Sequence, residues 1–341
     1  MDFNKQDALN VAASGALKLG ALTQEDGSFR YRYDQTSGRD FGGYNILRHA
    51  GAIWAMIDVY STTRDPALLT SARRAATRLL NKNLRFYRSH TNMCIRENNA
   101  IKLGGNALAA IALLSLYKEV GDSNLLAVAH GLCRFIIDQR AKHGEFVHKR
   151  YYRSGKISSF RSSYYVGEAL LALMLCYEAT GDALLLNAVV EAERQLAKTD
   201  YGVREQSHWM LYSLQKLQEH HDDPMIYLHA EKIAKDILDR PKYLSWNRST
   251  PTACRSEGLL AFLRMDEKDS GEQGLRQRVS KQIVANLQSQ LSFFQHDGAF
   301  VQGGETKRPS EVRIDYIQHN ISAFLHAYRQ LPESHAKESK S

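Results

Sequence analysis

Long apolar runs are missing from this sequence of 341 residues: no stretch approaches the roughly 20 apolar residues that a membrane-spanning helix needs. The amino-terminal segment MDFNKQDALN also lacks a basic stretch followed by an apolar one, which a secretory signal would show. We therefore expect a cytoplasmic protein without a membrane partner.

Cysteine is scarce, and the four cysteines are scattered without CxxC spacing. This distribution fits reduced packing residues better than disulfides or a zinc knuckle. Local HxH and HExxH spacings are absent, and no nucleophile-elbow motif surrounds a serine or cysteine. The sequence therefore predicts no metal site and no other cofactor.

The formal net charge is +8, which could serve a nucleic acid, an anionic lipid surface or an acidic substrate. Lysine and arginine are spread along the chain, however, and form neither a tail nor a stripe. No nucleic-acid recognition motif and no phosphate-binding glycine loop are present. We expect no nucleic-acid partner, and an acidic substrate remains open.

A repeated helical pattern is what the sequence does contain. Three long apolar runs that end in Tyr are each followed by a short polar turn and then an amphipathic helix; the turns are STTRDP, KEVGDS and EATGDA. Each turn supplies Asp or Ser just before the second helix, as an N-cap does. Each unit is therefore predicted to be a helical hairpin.

The same alternation predicts six hairpins along the whole chain. Mostly apolar helices are predicted at 44–60, 104–118, 164–178, 204–218, 252–265 and 313–329, and amphipathic ones at 5–19, 66–82, 123–139, 182–198, 224–239 and 272–293. Since a helix that is apolar on every face is buried, the pattern indicates an inner ring of helices inside an outer ring. We predict an all-α (α/α)6 toroid as one domain over 1–330, followed by a disordered polar tail at 331–341. An open solenoid is the alternative, although it would want more uniform repeats and polar capping units.

The predicted connections differ in length with their direction. Those from inner to outer helix are a few residues, whereas four from outer to inner helix are long, at 26–43, 85–102, 143–163 and 296–311. Long loops in a compact domain are usually functional or disordered. The first, third and fourth carry a Gly-x-Phe turn that predicts a short β-hairpin, and all should surround one mouth of the toroid.

Each inner helix carries a polar residue at the same place in its apolar run. Aligned without gaps, the six runs present His49, Asn106, Glu168, His208, Glu257 and His319 at one position. One helical turn earlier stand Asn45, Lys102, Tyr164, Arg204, Ala253 and Asp315. Because the inner helices of a toroid run parallel, we expect two stacked rings of mostly polar side chains around a cavity.

These residue types suit proton transfer on an anionic sugar, because histidine titrates near neutral pH and a buried glutamate can act as acid or base. The candidate catalytic residues are His49, Glu168, His208, Glu257 and His319. Arginines at the amino ends of helices oppose the helix dipole, which indicates that an anion is expected there. The candidate substrate-binding residues are Tyr44, Asn45, Arg48, Lys102, Asn106, Tyr164, Trp209, Arg255, Arg313, Asp315 and Tyr316.

A structural explanation and a metal-binding explanation also stay open for these positions. Polar residues crowd the first turn of any helix because they cap it, and single aromatic residues are usually core packing. Two histidines and a carboxylate, His49, His319 and Glu257, are also a known set of metal ligands, although no local spacing supports a metal here.

Short strings of this chain resemble known sugar-active families. YNILRH (Tyr44 to His49) and RIDYIQHNI (Arg313 to Ile321) are similar to strings in the carboxy-terminal domain of glucuronyl 5-epimerases. Arg48, His208 with Trp209, and His319 are similar in kind and helix order to inner-helix residues that carry the chemistry of N-acylglucosamine 2-epimerases. The architecture resembles six-hairpin glycosidases as well, including unsaturated-glucuronyl hydrolases, which use carboxylic acids as acid and base.

The resemblance implies an enzyme that acts on an anionic, uronate-bearing sugar by His/Tyr/Glu acid–base chemistry, as an epimerase or isomerase. In that scheme the carboxylate is held by Arg48, Arg313 and Arg255. Protons are exchanged by His49, His208 and His319. The histidines are oriented by Glu168 and Glu257, which can also act as acid. A glycoside hydrolase with Glu168 and Glu257 as its carboxyl pair is one alternative. A catalytically silent toroid that binds a polysaccharide or a partner is another.

Overall fold

Twelve long helices alternate between two layers in the computed structural model, which describes residues 4–89, 92–267 and 274–330. The inner helices are α2 (Ile46–Thr63), α4 (Leu103–Val120), α6 (Tyr165–Thr180), α8 (His208–Gln218), α11 (Ser249–Leu263) and α13 (Ile314–Gln330). The outer helices are α1 (Lys5–Leu22), α3 (Pro66–Asn83), α5 (Ser123–Ile137), α7 (Ala183–Leu196), α9 (Pro224–Asp239) and α12 (Leu275–Leu291), and α10 (Lys242–Ser245) is a single turn. The predicted twelve-helix pattern is confirmed; the predicted tail at 331–341 lies outside the described residues.

The inner helices form a closed ring. Each packs on the next in chain order, and α13 then packs on α2, so that the last inner helix meets the first. Each outer helix packs mainly against one inner helix and also contacts a second; α1 packs on α13, α3 on α2 and α5 on α4. This closure confirms the (α/α)6 toroid and is incompatible with an open solenoid.

Tight turns between inner and outer helices follow from the predicted caps. The side chains of Asp65, Asp122 and Asp182 each accept a hydrogen bond from the backbone N–H two residues later, as N-caps of α3, α5 and α7. The preceding inner helices α4 and α6 end at Gly121 and Gly181, whose φ angles of 71° and 69° are left-handed. Glycine adopts this conformation at little cost, and the Asp that follows starts the next helix at once.

Neighbouring inner helices approach closely where one of them carries glycine. A Cβ built on Gly167 of α6 would lie 2.6 Å from the backbone nitrogen of Met210 in α8. A Cβ on Gly104 of α4 would lie 2.5 Å from the ring of Tyr165 in α6. Larger residues at these two positions would push the inner helices apart.

The long loops are tied together by short strands. Strand β1 (Arg32–Asp34) pairs antiparallel with β6 (Glu311–Arg313), and a four-stranded sheet has the order β2 (Leu84–Phe86), β3 (Met93–Glu97), β4 (Ala100–Lys102), β5 (Lys149–Tyr151). The three predicted Gly-x-Phe hairpins are reduced to single bridges, for example Thr23 with Phe29. Two of the four strand pairings, β1 with β6 and β4 with β5, join loops that are distant in sequence, which local turn signals do not reveal.

No described helix combines the length and the apolar character that crossing a bilayer requires.

Substituting alanine for Gly167 should lower the free energy of unfolding by about 1–3 kcal/mol, because the added methyl group overpacks the contact between α6 and α8. Gly105→Ala is the matched control: its Cβ would meet Leu47 at an ordinary 3.4 Å. That substitution should leave stability unchanged or raise it by up to about 1 kcal/mol through helix propensity. Chemical denaturation measures both, and equal effects of the two substitutions would contradict the close packing.

Candidate active site

A cavity of about 340 Å³ lies at the amino ends of the inner helices, and we call it the mouth cavity. All six inner helices contribute to its lining. Nine of the sequence-predicted site residues are brought together there: Asn45, Arg48, Tyr164, Glu168, His208, Trp209, Arg313, Asp315 and His319. The common direction of the inner helices therefore gathers residues that are up to 274 positions apart in the chain.

Two histidine rings pack edge to face in the wall of this cavity. The rings of His208 on α8 and His319 on α13 have centroids 5.4 Å apart and are nearly perpendicular. His208 is almost completely buried, and neither of its ring nitrogens has a hydrogen-bond partner among the described residues. Burial, with the positive charges of His319 and Arg255 nearby, lowers the pKa of His208 well below its usual range. His208 is therefore a neutral imidazole at neutral pH.

A carboxylate lies behind the second histidine. Glu257 on α11 is fully buried; its Oε1 is 2.8 Å from His319 Nδ1, and its Oε2 accepts a hydrogen bond of 2.9 Å from the Tyr212 hydroxyl. Burial opposes protonation of His319, but Cys254 and the Glu257 carboxylate hold the pKa of His319 well above its usual range. His319 is thus oriented as a cation whose Nδ1 is committed to Glu257.

Glu168 on α6 adds a carboxyl group that is buried without an ion-pair partner. Burial raises its pKa to about 8, and the positive charge of His319 offsets only part of this effect. Its Oε2 has no hydrogen-bond partner among the described residues, and it occupies the space that the missing Cβ of Gly104 leaves open. A carboxyl group that stays protonated near neutral pH can donate a hydrogen bond or a proton.

Two arginines bracket one carboxylate at the rim. Arg48 Nε donates to Asp315 Oδ2 at 3.0 Å, and Arg313 donates to both oxygens of Asp315, at 2.5 and 2.9 Å. Arg48 also donates to the Tyr31 hydroxyl at 2.6 Å. Arg313 lies over the ring of Tyr316, 4.3 Å from its centroid. Arg313 also lies 3.9 Å from Glu311, which pairs with Arg308 as well, so that these three arginines exceed the two carboxylates by one positive charge. The directions of the Arg48 and Arg313 guanidinium groups are already set.

Aromatic rings supply apolar faces within the same cavity. Trp209 is buried in the cavity wall, whereas Tyr164 at the rim keeps 41% of its surface exposed. Tyr164 packs edge-on against His208, with ring centroids 5.8 Å apart. The two rings are placed to contact a flat or ring-shaped ligand next to the histidines.

Two predicted residues point away from the cavity instead. His49 is fully buried between α2 and α3: its Nδ1 is 2.7 Å from the Tyr44 hydroxyl, and its Nε2 is 2.9 Å from the Ala75 carbonyl oxygen. Asn106 accepts from the backbone N–H of Ile95 and donates to a backbone carbonyl of its own helix. On α2 the aligned position, His49, is one residue too late. One residue corresponds to about 100° of rotation about the helix axis. Arg48 faces the cavity in place of His49.

The remaining predicted residues surround the site without lining it. Lys102 forms an ion pair of 2.6 Å with Glu97, and Arg255 donates to Gln206 at 3.2 Å while lying over the ring of Tyr243. The Tyr44 hydroxyl accepts from the backbone N–H of Phe29, and the Tyr316 hydroxyl donates to Glu311. Glu257 lies behind His319, as described above. Arg255 does not reach the mouth cavity because its guanidinium is held against the loop before α8.

Sequence reasoning missed several residues of the site. Cys254 lines the cavity three residues before Glu257, a helical spacing that could have placed it on the same face. Gln318 and Tyr165 adjoin predicted residues in the same first turns. Tyr31 and Tyr212 carried no local signal, because their contacts with Arg48 and Glu257 depend on how distant parts of the chain pack.

One cluster at the site has donor atoms of the kind that bind metal ions. Single ligand atoms of His208, Cys254, Glu257 and His319 all lie within 4.8 Å of one another. Two ligands of a tetrahedral zinc ion are about 3.3 Å apart, whereas His319 Nδ1 and Glu257 Oε1 are 2.8 Å apart, the distance of a hydrogen bond. The cluster could hold a metal ion only if this pair opened, and its geometry is that of a hydrogen-bonded pair.

No protein-family model matches the chain, and no curated protein sequence does either. Solved structures, by contrast, are similar over nearly the whole length. A D-mannose isomerase structure has a TM-score of 0.76 at 10% sequence identity, covering 97% of this chain and 100% of that chain. A cellobiose 2-epimerase from Bacillus thermoamylovorans B4167 has a TM-score of 0.73 at 13% identity, covering 96% and 100%. An unsaturated glucuronyl hydrolase specific for heparin has a TM-score of 0.69 at 12% identity, covering 96% and 98%.

At these sequence identities the likeness shows the fold alone. All three structures are (α/α)6 toroids of sugar-active enzymes, so the predicted resemblance in architecture is confirmed. The chemistry has to be argued from the residues of this chain.

Burial lowers the pKa of His49 to about 4, against an ordinary value of 6.5. Between these values the unfolded chain binds more protons at this residue, so the stability contributed by neutral His49 is complete above pH 6.5 and is lost as the pH falls towards 4. The difference corresponds to about 3 kcal/mol. We expect His49→Leu to flatten the dependence of the unfolding free energy on pH in this window.

The control is His296→Leu, which removes an exposed histidine of the loop after α12. It should keep the wild-type slope. An unchanged slope in His49→Leu would show that His49 is not held neutral in the core.

Proposed function

We propose that this protein is an enzyme that moves a proton on a carbon atom next to the carbonyl group of an anionic sugar, as an isomerase or epimerase. One observation carries the proposal: a neutral His208 and a protonated His319 lie side by side in the wall of one cavity, with ring centroids 5.4 Å apart. A base and an acid that can both contact the bound substrate are what enolisation of a sugar requires.

Each residue of the pair has one role in the first half of the reaction. His208 takes the proton from the carbon next to the carbonyl, and His319 gives a proton to the carbonyl oxygen, which leaves an enediol. In the second half His208 returns its proton to the neighbouring carbon in an isomerisation, or to the other face of the same carbon after the enediol turns in an epimerisation. His319 takes back the hydroxyl proton from the carbon that becomes the carbonyl group. Glu257 stabilises the His319 cation and fixes its ring, and protonated Glu168 can donate to a developing negative oxygen.

The preference for an anionic substrate is inferred from the charges at the rim. Two guanidinium groups, Arg48 and Arg313, face one carboxylate, Asp315. The amino ends of six parallel helices add positive potential at the same place. The Arg48 and Arg313 side chains retain 34% and 20% of their surface exposed, so a uronate carboxylate could reach them.

The size of the cavity supports a small sugar. A volume of about 340 Å³ is near the lower end of the range, about 300–1,000 Å³, that small-molecule sites usually have. A monosaccharide ring, or one end of an oligosaccharide, would fit between Trp209 and Tyr164 with its carbonyl end near the histidines.

The hydrolase alternative receives less support. Such an enzyme needs two carboxyl groups that flank the scissile bond. Both oxygens of Glu257 are occupied, by His319 and by Tyr212, and Glu257 is fully buried behind the cavity wall. Glu168 would therefore lack the partner that the sequence suggested for it.

The test is incubation with a panel of aldoses, ketoses, uronates and uronate oligosaccharides in deuterated water, followed by NMR. We expect deuterium to enter a ring or chain carbon next to the carbonyl group. His208→Gln and His319→Gln should each lower the rate by about 100-fold or more, because each removes one acid–base group.

His229→Gln is the matched control, because His229 and Glu193 form a similarly buried pair, 2.6 Å apart, in the outer ring. This variant should keep the wild-type rate. New reducing ends without deuterium on carbon would instead indicate hydrolysis. Neither change across the panel would overturn the proposal.

The anionic preference has its own test. Arg313→Gln should raise KM for a uronate by about 10-fold or more, since a hydrogen bond to a charged group contributes about 1.5–3 kcal/mol. The KM for the matching neutral sugar should change much less. Arg255→Gln is the control, because that guanidinium is bound to Gln206 and lies outside the cavity. Equal effects of Arg313→Gln on both sugars would contradict a role in carboxylate binding.

A further inference from the structure

A second cavity, of about 470 Å³, lies at the other end of the inner helices, and we call it the far cavity. It is formed by the carboxyl-terminal halves of five inner helices and by Arg264, which follows α11. Three aromatic rings separate it from the mouth cavity: Trp209 lines the mouth cavity, whereas Trp54 and Tyr212 line the far cavity. Their ring centroids are 5.7 to 6.0 Å apart, so the three rings are in contact and form a layer between the two cavities.

A continuous chain of hydrogen-bonding groups passes this aromatic layer. His319 in the mouth cavity contacts Glu257 at 2.8 Å, and Glu257 accepts from Tyr212 at 2.9 Å. The Tyr212 hydroxyl lies 3.1 Å from His326 Nδ1, and His326 Nε2 lies 3.3 Å from Asp58 Oδ2. His326 and Asp58 both line the far cavity. Four links thus join one end of the barrel to the other.

Packing alone does not explain such a chain. Glu257, Tyr212 and His326 are each less than 5% exposed, and taking polar or charged groups out of water costs free energy even when they are paired. Apolar side chains of similar size could fill the centre of a barrel at no loss of stability. A hydrogen-bonded chain that ends at two separate cavities therefore indicates a role in moving protons.

The chain can hold its protons in two arrangements. Asp58, which is ion-paired with Arg329, can only accept, so His326 carries its proton on Nε2 and leaves Nδ1 as an acceptor. The single Tyr212 proton then points either to ionised Glu257 or to His326 Nδ1. In the second arrangement Glu257 is protonated on Oε2 and donates to the Tyr212 oxygen. Both arrangements satisfy the same distances, which is the property of a proton relay.

We propose that Glu257, Tyr212 and His326 form a proton path between His319 and water in the far cavity, used while a bound substrate closes the mouth. The proposal rests on the proposed function, because it assigns the route by which the acid–base pair exchanges protons with solvent.

The transfer conserves protons at every link. Starting with Glu257 protonated on Oε2, His319 gives its Nδ1 proton to Oε1, and Oε2 gives its proton to the Tyr212 oxygen. Tyr212 gives its own proton to His326 Nδ1, and His326 gives the Nε2 proton to Asp58 Oδ2, from which it passes to water in the far cavity. The four intermediate groups each lose one proton and gain one, so that one proton passes from His319 to water. The reverse sequence recharges His319.

Hydrogen exchange at His319 tests the path and needs no substrate. The exchange of the His319 Nδ1 proton with water, followed by NMR of histidine-labelled protein, should slow by about fivefold in Tyr212→Phe and in His326→Gln, the effect of removing one hydrogen bond from the relay. His326→Gln leaves the bond from Tyr212 to Glu257 in place and so separates the path from the orientation of Glu257.

Tyr243→Phe is the matched control, since it removes an equally buried hydroxyl that donates to Asn286 at 3.0 Å away from both cavities. It should keep the wild-type rate of exchange. A merely structural role of Tyr212 or His326 would leave this rate unchanged or raise it by loosening the core. Equal exchange in the wild type, Tyr212→Phe and His326→Gln overturns the path while the proposed function stands.

If the wild type converts no sugar at all, the proposed function fails, and this exchange still decides the path.

Discussion

The packing of α13 against α2 closes the ring of inner helices, and both cavities depend on that contact. Arg48 on α2 and Asp315 on α13 are 267 residues apart in sequence but form a hydrogen bond of 3.0 Å. The pairing of β1 with β6 and the hydrogen bond from Arg48 to Tyr31 tie the first long loop to the same junction. If this junction opened, Asp315 would lose its contact with Arg48, and His319 would move away from His208.

The centre of the barrel contains a connected set of buried polar groups. Between the inner and outer layers, contacts are mostly apolar, and the buried polar groups there, such as His229 with Glu193 and His49 with the Ala75 carbonyl, form separate local pairs. Along the axis, by contrast, Glu257 contacts two groups that themselves have further polar partners. Burying these polar groups costs free energy, and they lie along the axis, where the proposed chemistry would use them.

The fold could be predicted from sequence because it depends on local signals repeated six times. Apolar periodicity separates inner from outer helices, and Asp65, Asp122 and Asp182 mark where outer helices begin. The site needed more, because the rotation of each helix about its axis decides which side chain enters the cavity. On α2, the alignment places His49 in the ring, although Arg48, one residue earlier, faces the cavity. The depth of Glu257 and the contact of Tyr212 with it depend on the packing of α8, α11 and α13, for which the sequence carries no local signal.

The parallel direction of the inner helices has an electrostatic consequence that links the two proposals. The amino ends of six helices meet at the mouth cavity and their carboxyl ends at the far cavity, so that each helix adds about half a positive charge to the first and about half a negative charge to the second. This field attracts an anion towards Arg48 and Arg313. It also favours a proton nearer to Asp58 over one nearer to His319. The same arrangement that would bind an anionic sugar would therefore draw the released proton through Glu257 and Tyr212, away from the side where the sugar lies.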